Sequence, residues 1–436
     1  MSSARGAALR ALVALERGES DRLREALQTK GLEPRDQAFA FELAHGVMRR
    51  QELLDHVLTA LAHRGLPKDP ALMVALRLGA YQLLFVPGMP THAAVHETVE
   101  LVRGNKGFAN AILRTITKGI LDRAADPASF RTELALSPTR MFRLPAPLPD
   151  DEAAALAILH SLPEFLVVRW REQFGDEAMR TVAAAATATP AVWLRIGAAF
   201  AVADVAAALL AAGVETAPGE HPRLLRWSGG TSPFTSPPFQ AGQFVVQDPT
   251  AFAAAEAVPC KPGDTVIDLC AAPGTKTTAL AERVGTNGVV FAYDNDGHRR
   301  LRISENVARL GLGSVVRVVD TTANLPAADA VLADVPCSNS GVLARRVEVR
   351  TRITAETFGE LAPLQRRLLQ QAIALCKPGG TVVYSTCSID REENEDLVAA
   401  VLADPNTPRC ERGLSRLTLP RAGAGDGGFY ALLRRS

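Results

Sequence analysis

From the N-terminus to about residue 125, apolar residues recur every three to four positions. "AALRALVAL", "QAFAFELAHGVMRR", "ELLDHVLTALA", "ALMVALRLGAYQLLF" and "HETVELVRG" each gather them on one helical face. "GLPKDP" and "VPGMPT" interrupt the pattern with the Pro and Gly that end one helix and let the chain turn. The spacing predicts an all-α bundle of about six or seven helices, beginning within "MSSARGAALRALVALERGES". His92 and His96 stand at i,i+4 spacing, but with no third ligand nearby they read as helix packing or capping rather than a metal site.

Between roughly 126 and 160 the periodicity loosens, and "RLPAPLPDDE" reads as a proline-rich connector. A second unit starts near "LPEFLVVRWREQFG". Helical runs such as "DEAMRTVAAAA" and "FAVADVAAALLAAG" mix there with strand-like "AVWLRIG" and "RLLRW", which predicts a small α+β module to about residue 245. Beyond it "DTVIDL", "GVVFAY", "SVVRVV", "ADAVLA" and "TVVYS" alternate with helical segments, the signature of βαβ units and a parallel sheet covered on both faces. The expected domains are therefore 1–140, 141–245 and 246–436.

Composition narrows the class. Over 436 residues, 47% hydrophobic and 22% charged content suits an ordinary globular multidomain protein and argues against extensive disorder. A formal net charge of +1 provides no global field toward nucleic acid, so any such binding must use a local basic surface. Six cysteines without a CxxC pair form neither a disulfide framework nor a zinc ribbon. A reducing compartment follows, and with no apolar run long enough to cross a bilayer the expected location is cytoplasmic.

In open α/β sheets, ligands bind beyond the carboxyl ends of the strands, and the suggestive residues of the last domain fall there. "VIDLCAAPGTKTTALAE" is a buried strand ending in Asp268, then a small-residue turn, then a helix. It is no phosphate loop, because the Walker pattern needs glycines at positions held by Cys270 and Thr275, and it lacks GxGxxG. Asp294 ends the second strand, where an acid commonly accepts from a ribose, although alone it reads equally as a helix cap. Together these imply an adenosine-containing cofactor without a pyrophosphate. Asp320, after the third strand, is a candidate for the adenine edge or a turn cap.

"DVPC" at the end of the fourth strand and "VVYSTCSID" at the end of the fifth bring Cys337 and Cys387 to neighbouring strand ends, with Asp334 beside the first. Cys260, Cys376 and Cys410 read instead as inert buried hydrophobes. Two thiols and a carboxylate next to an adenosyl cofactor suit methylation at carbon 5 of cytosine. A thiolate adding to carbon 6 makes carbon 5 nucleophilic, an acid at the ring nitrogen stabilises the adduct, and a second thiol assists loss of the carbon-5 proton. Spacing does not say which thiol attacks.

These motifs resemble, over nearly the whole chain, the bacterial small-subunit (16S) rRNA cytosine-5 methyltransferases of the Sun/Fmu (RsmB) type. "CAAPGTKT" resembles the family's first cofactor motif, "DVPCSNSGV" its proline-cysteine motif, "YSTCSIDREEN" its thiol motif, and "FQAGQFVVQDPTA" the segment preceding the catalytic core. "RDQAFAFELAHGVMRR", "LGAYQLLF" and "GFANAILR" resemble the RNA-binding bundle of the antitermination factor NusB. The resemblance implies a NusB-like all-α domain, a middle module similar to a degenerate RNA-recognition motif, and a Rossmann-like class I methyltransferase with a mostly parallel seven-stranded sheet.

It also implies S-adenosylmethionine as methyl donor, held by Cys270, Ala271, Ala272, Pro273, Gly274, Thr275, Lys276, Asp294, Asp320 and Asp334. Cys387 matches the covalent nucleophile and Cys337 the cysteine that releases product, with Lys276 ordering Asp334 by charge. The chain departs from the family at Val347, Glu348 and Thr351, where a Pro-Asp pair and a tryptophan are usual, and at Gly428, where an aromatic is common.

Arg345, Arg346, Arg350 and Arg352 follow the proline-cysteine loop and are candidates for phosphates beside an extruded cytidine; Arg49 and Arg50 are the basic pair of the helical domain. Because the base must leave its stack, free or partly assembled small-subunit rRNA is the expected partner. A methyltransferase fold kept only as an assembly scaffold is one rival reading, and intact Cys337, Cys387, Asp334 and the cofactor turn count against it; a DNA cytosine-5 methyltransferase is the other, disfavoured by the thiol at 387 and the N-terminal bundle of RNA-binding type.

Overall fold

The computed structural model describes residues 3–63 and 65–436; Met1 and Ser2, at the start of the predicted first helix, and Arg64 lie outside the described residues. Two compact units emerge. One runs from the N-terminus to Thr187 and includes Arg346–Arg352; the other comprises Ala188–Arg345 and Ile353–Ser436.

The first unit opens with helices Ala4–Glu16, Leu23–Ala26, Pro34–Arg49, Gln51–Leu61, Pro70–Phe85, Thr91–Leu101 and Lys106–Lys118, as the three-to-four periodicity predicts. Pro70–Phe85 is buried on all sides from Leu72 to Leu84. Its one charged residue, Arg77, is accommodated by Asp55 and Glu16 at 2.7 and 2.9 Å. A short three-stranded antiparallel sheet follows, in the order Ile120–Leu121, Arg140–Arg143, Glu133–Ser137.

The proline-rich stretch is not a loose connector. Leu144 and Leu148 are buried in the core of this unit, and Asp151 caps the next helix, Glu152–His160, by accepting from the Ala154 amide. Helices Glu164–Phe174 and Asp176–Thr187 complete the unit, so the division falls after Thr187 rather than at 140. Amphipathic periodicity shows that a helix buries one face but not against which domain it does so.

Segment 346–352 belongs to this unit as well. Val347 is buried in its core, and the Arg350 guanidinium donates to the carbonyls of Arg49, His160, Ser161 and Ala186 at 2.8–3.3 Å. These carbonyls lie at the carboxyl ends of three helices, where backbone acceptors lack intrahelical donors and the helix dipole is negative. The family departure at Val347 thus fills an apolar site.

The second unit holds two sheets. The smaller is antiparallel, in the order Val214–Pro218, Leu224–Gly230, Trp193–Ile196, Phe244–Val246. In the larger, seven strands appear in chain order: β1 (Thr265–Asp268), β2 (Val289–Tyr293), β3 (Val316–Val319), β4 (Ala328–Asp334), β5 (Cys376–Thr386), β6 (Cys410–Thr418) and β7 (Gly428–Arg435). Their spatial order is β3-β2-β1-β4-β5-β7-β6, parallel from β3 through β5, with β7 antiparallel to both neighbours. The alternation predicts βαβ units of this kind, and the seven-stranded, mostly parallel Rossmann-like sheet is the one the resemblance implies.

Apolar side chains such as Val266, Val290 and Leu332 pack on one face and Ile267, Val331 and Val382 on the other, as expected for strands covered twice. Gly428 has a steric reason: a Cβ there would meet the Thr386 carbonyl oxygen at 2.8 Å, so a larger side chain would force β7 from β5. Among the described residues no group of three or more His, Cys, Asp and Glu is arranged to hold a metal, and no single helix is long and apolar enough to cross a membrane.

Candidate active site

Strand order determines where the polar side chains meet. β1 and β4 are parallel neighbours although β2 and β3 intervene in the chain, so the order in which strands are added reverses between them, where α/β proteins form ligand crevices. Asp268 aligns with Ala292 on β2 and Leu332 on β4. Asp294 and Asp334, each two residues farther on, therefore reach the same rim.

The turn after β1 is built from backbone. The Ala271 amide donates to the Tyr293 carbonyl at 2.9 Å, and the Ala272 amide to Asp294 Oδ2 at 3.2 Å. The Ala272–Pro273 peptide is cis. Gly274 has φ +97°, a conformation that favours glycine, and the helix Thr275–Val284 starts directly after it. Burial, then nearby Asp334, Asp268 and Asp294, push the Cys270 thiol upward and keep it protonated.

The two readings of Asp294 now separate. The cap of the helix Gly297–Arg309 is Asp296, which accepts from the His298 and Arg299 amides. Asp294 is buried, accepts from the Ala272 and Asp296 amides, and pairs with Arg299 at 3.3 Å. Asp320 follows β3 and is exposed. Asp268 is fully buried; Oδ2 accepts from the Thr277 hydroxyl at 2.7 Å, while Oδ1 has no partner. Burial raises its pKa to about 7, with Asp334 adding to the shift and the Thr277 bond opposing it. Carboxylates around a small-residue turn, one with an orphaned oxygen, suit a cationic ligand and not a pyrophosphate.

Beyond β4 and β5 lie the thiols. Asp334 pairs in register with Ser385, which brings the segments carrying Cys337 and Cys387 together. The Cys337 and Cys387 sulfurs are 3.1 Å apart. Lys276 donates to Asp334 Oδ2 at 2.7 Å. Burial opposes its ammonium, but the Asp334 charge outweighs burial and holds the pKa above its ordinary value; the Cys387 thiolate adds in the same direction. Cys337 is 8% exposed. Its hydrogen bond with Cys387, then burial, push its thiol well above the usual range. Cys387 is half-buried and more accessible.

Two participants escaped the sequence reading. Asn339, at φ +65°, donates from Nδ2 to the Cys337 carbonyl at 2.6 Å and accepts from the Cys387 thiol at Oδ1, 3.3 Å away. Asparagine tolerates the left-handed region, which is the only signal its sequence position carries. Glu393 is fully buried under the Cys337 loop, and nothing in "REEN" separates it from the exposed Glu392.

The four arginines of the following segment part company. Arg345 pairs with Asp248 and Asp426, and Arg350 is buried among carbonyls. Both are committed within their own units, which corrects their expected role as phosphate ligands. Arg346 and Arg352 are exposed. Of the basic pair Arg49 and Arg50, Arg49 is buried and Arg50 lies over the Phe85 ring, 4.8 Å from its centroid. Cys260 and Cys376 are buried and Cys410 half-buried.

Residues 255–434 match the family of 16S rRNA methyltransferases RsmB/F, and residues 2–118 match the NusB family. The chain is similar to the probable ribosomal RNA small subunit methyltransferase B of Synechocystis sp., 33% identical over 88% of this chain and 85% of that one. It is 32% identical to ribosomal RNA small subunit methyltransferase B of Thermus thermophilus, over 99% and 97% of the two chains. Among solved structures, the crystal structure of PH0851 matches with a TM-score of 0.75 at 26% identity, covering 98% of each chain.

Proposed function

We propose, for a chain that belongs to the RsmB/F family of 16S rRNA methyltransferases, methyl transfer to carbon 5 of a cytidine through a covalent adduct on Cys387. Methylation of rRNA with S-adenosylmethionine as donor is the coarser activity that family membership establishes. The residues present fit that donor: Asp268, Asp294 and Asp334 surround a turn with no phosphate-binding glycine nest, and Asp268 Oδ1 has no partner within the fold. Cys270 through Lys276 and Asp294 would hold it, with Asp320 at the rim. When bound, the cofactor supplies an electrophilic methyl group.

The observation that carries the reading is the thiol pair 3.1 Å apart beside the Lys276–Asp334 ion pair. Cys387 is the better nucleophile because it is the more accessible thiol and lies in the field of the Lys276 ammonium. Once ionised, it accepts a hydrogen bond from the Cys337 thiol. Its sulfur adds to carbon 6 of the ring while Asp334 supports the ring nitrogen, and carbon 5 becomes nucleophilic.

Release uses the neighbouring thiol. The largest cause of the raised Cys337 pKa is Cys387, and that cause disappears when the Cys387 charge enters the carbon–sulfur bond. Cys337 then loses its proton to solvent and takes the proton from carbon 5. The freed electron pair restores the carbon 5–carbon 6 double bond as the Cys387 sulfur leaves as a thiolate.

The test is methyl transfer from labelled S-adenosylmethionine to unmodified small-subunit rRNA by the parent and by Cys387→Ala, with the modified position mapped by sequencing. Label on carbon 5 of a cytidine, lost in the variant, supports the reading. Label elsewhere, or transfer that survives in the variant, overturns it.

A further inference from the structure

Resting on the reading that Cys337 releases the adduct, we infer that Glu393 is a positioning residue for Cys337, acting together with Gln365 to hold the release thiol in place against Cys387.

Glu393 follows β5, and its carboxylate is fully buried. Oε1 accepts from the Ser338 amide and from Gln365 Nε2, both at 2.8 Å, and Oε2 accepts from the Ser338 hydroxyl at 2.5 Å. The same Gln365 nitrogen also donates to the Pro336 carbonyl at 3.0 Å. Cys337 thus lies between two anchored residues. Pro336 is held by Gln365 and Ser338 by Glu393, while Glu393 itself is fixed by the Tyr384 hydroxyl on β5, which donates to its carbonyl at 2.6 Å.

A carboxylate removed from water is costly unless hydrogen bonds to its charged form replace hydration, and here three neutral donors do so. The orientation of Gln365 is set by these bonds, because a flip would point its oxygen at two acceptors and lose both; that oxygen has no partner of its own. The clamp joins the loop that carries the release thiol to the segment after β5 that carries the nucleophile. Side-chain hydroxyls continue the join: the Ser338 and Ser340 hydroxyls both meet that of Ser388, at 3.3 and 3.1 Å.

Without the clamp, Cys337 is expected to drift from carbon 5 of a bound ring while Cys387 and the cofactor turn stay in place. Glu393 touches none of the reacting atoms in this scheme. Its loss should therefore damage release more than attack.

The experiment compares the parent with Cys337→Ala, Glu393→Ala, Glu393→Gln and Gln365→Leu in the full chain. It reads turnover, covalent RNA–protein adduct on a denaturing gel, and S-adenosylmethionine affinity. For Glu393→Ala a displaced thiol should lower turnover about a hundredfold, with adduct accumulating as in Cys337→Ala and cofactor affinity within about twofold of the parent. Glu393→Gln, which keeps the volume and one acceptor, should recover part of the turnover. If Glu393→Ala does not fold, Glu393→Gln and Gln365→Leu carry the same readouts.

The inference is overturned if Cys337→Ala traps adduct while the Glu393 and Gln365 variants lose attack and turnover together. If Cys337→Ala itself traps none, the release role of Cys337 fails, and the positioning role falls with it.

Discussion

The Cys337 and Cys387 sulfurs stand 3.1 Å apart across 50 residues of sequence. They are also unequal: the first is buried and held strongly protonated, and the second is half-buried beside a lysine. At neutral pH iodoacetamide should alkylate Cys387 well before Cys337, with Cys337 labelling rising only under alkaline conditions, as read by mass spectrometry of the two peptides. Replacing Cys337 by Ala should leave attack intact and trap RNA on the protein. Labelling of Cys337 first would reverse the assigned roles.

Lys276 links cofactor turn and base site through its 2.7 Å bond to Asp334. Lys276→Met should lower turnover at least about tenfold, because it leaves Asp334 without its counter-charge and removes a cation from the field at Cys387. Single-turnover methyl transfer to unmodified small-subunit rRNA checks this. Turnover within about twofold of the parent would remove Lys276 from the reacting site.

Asp268 makes stability fall with pH. An unfolded aspartate ionises near its ordinary value of 3.8, whereas the buried one does so at about 7. Between these values the folded state holds the extra proton, so stability declines as pH rises through that window and the loss is complete above it. Asp268→Asn should raise cofactor-free stability at pH 8 by roughly 2–4 kcal/mol, and weaken S-adenosylmethionine binding. Thermal unfolding at pH 5.5 and 8 checks this. A residual slope should remain, because Asp426 also titrates at about 7 through burial and the nearby Asp248 charge.

Arginines that look equivalent in sequence should behave oppositely. Arg350→Met strands carbonyls at three helix ends and should destabilise by about 3 kcal/mol or more. Arg346→Glu with Arg352→Glu should leave the melting temperature nearly unchanged and weaken RNA binding about tenfold or more at moderate salt. Filter binding beside thermal melts separates the two effects. Unchanged RNA affinity in the exposed pair would remove this segment from the RNA path.

Much of the fold was legible locally. Three-to-four spacing marked the helices from Ala4 to Lys118, and β-rich runs alternating with helices marked β1 to β5. The ends of those strands supplied Asp268, Asp294, Asp334 and, just beyond, Cys337 and Cys387, because ligand residues in parallel sheets gather at carboxyl ends. The connector near residue 145 was misleading, since proline content describes the backbone and not the burial of Leu148.

By itself, then, the sequence determined the element types, the order of the motifs and the chemistry they can perform, since periodicity, turn residues and functional groups are local properties. Only the tertiary structure decided that helices 152–187 join the N-terminal unit, that Asp296 rather than Asp294 caps its helix, and that Arg350 serves helix ends. It also decided that Asn339 and Glu393 support the thiols. Each of these depends on which distant groups share a buried space and satisfy one another's hydrogen bonds, and no short window of sequence contains both partners.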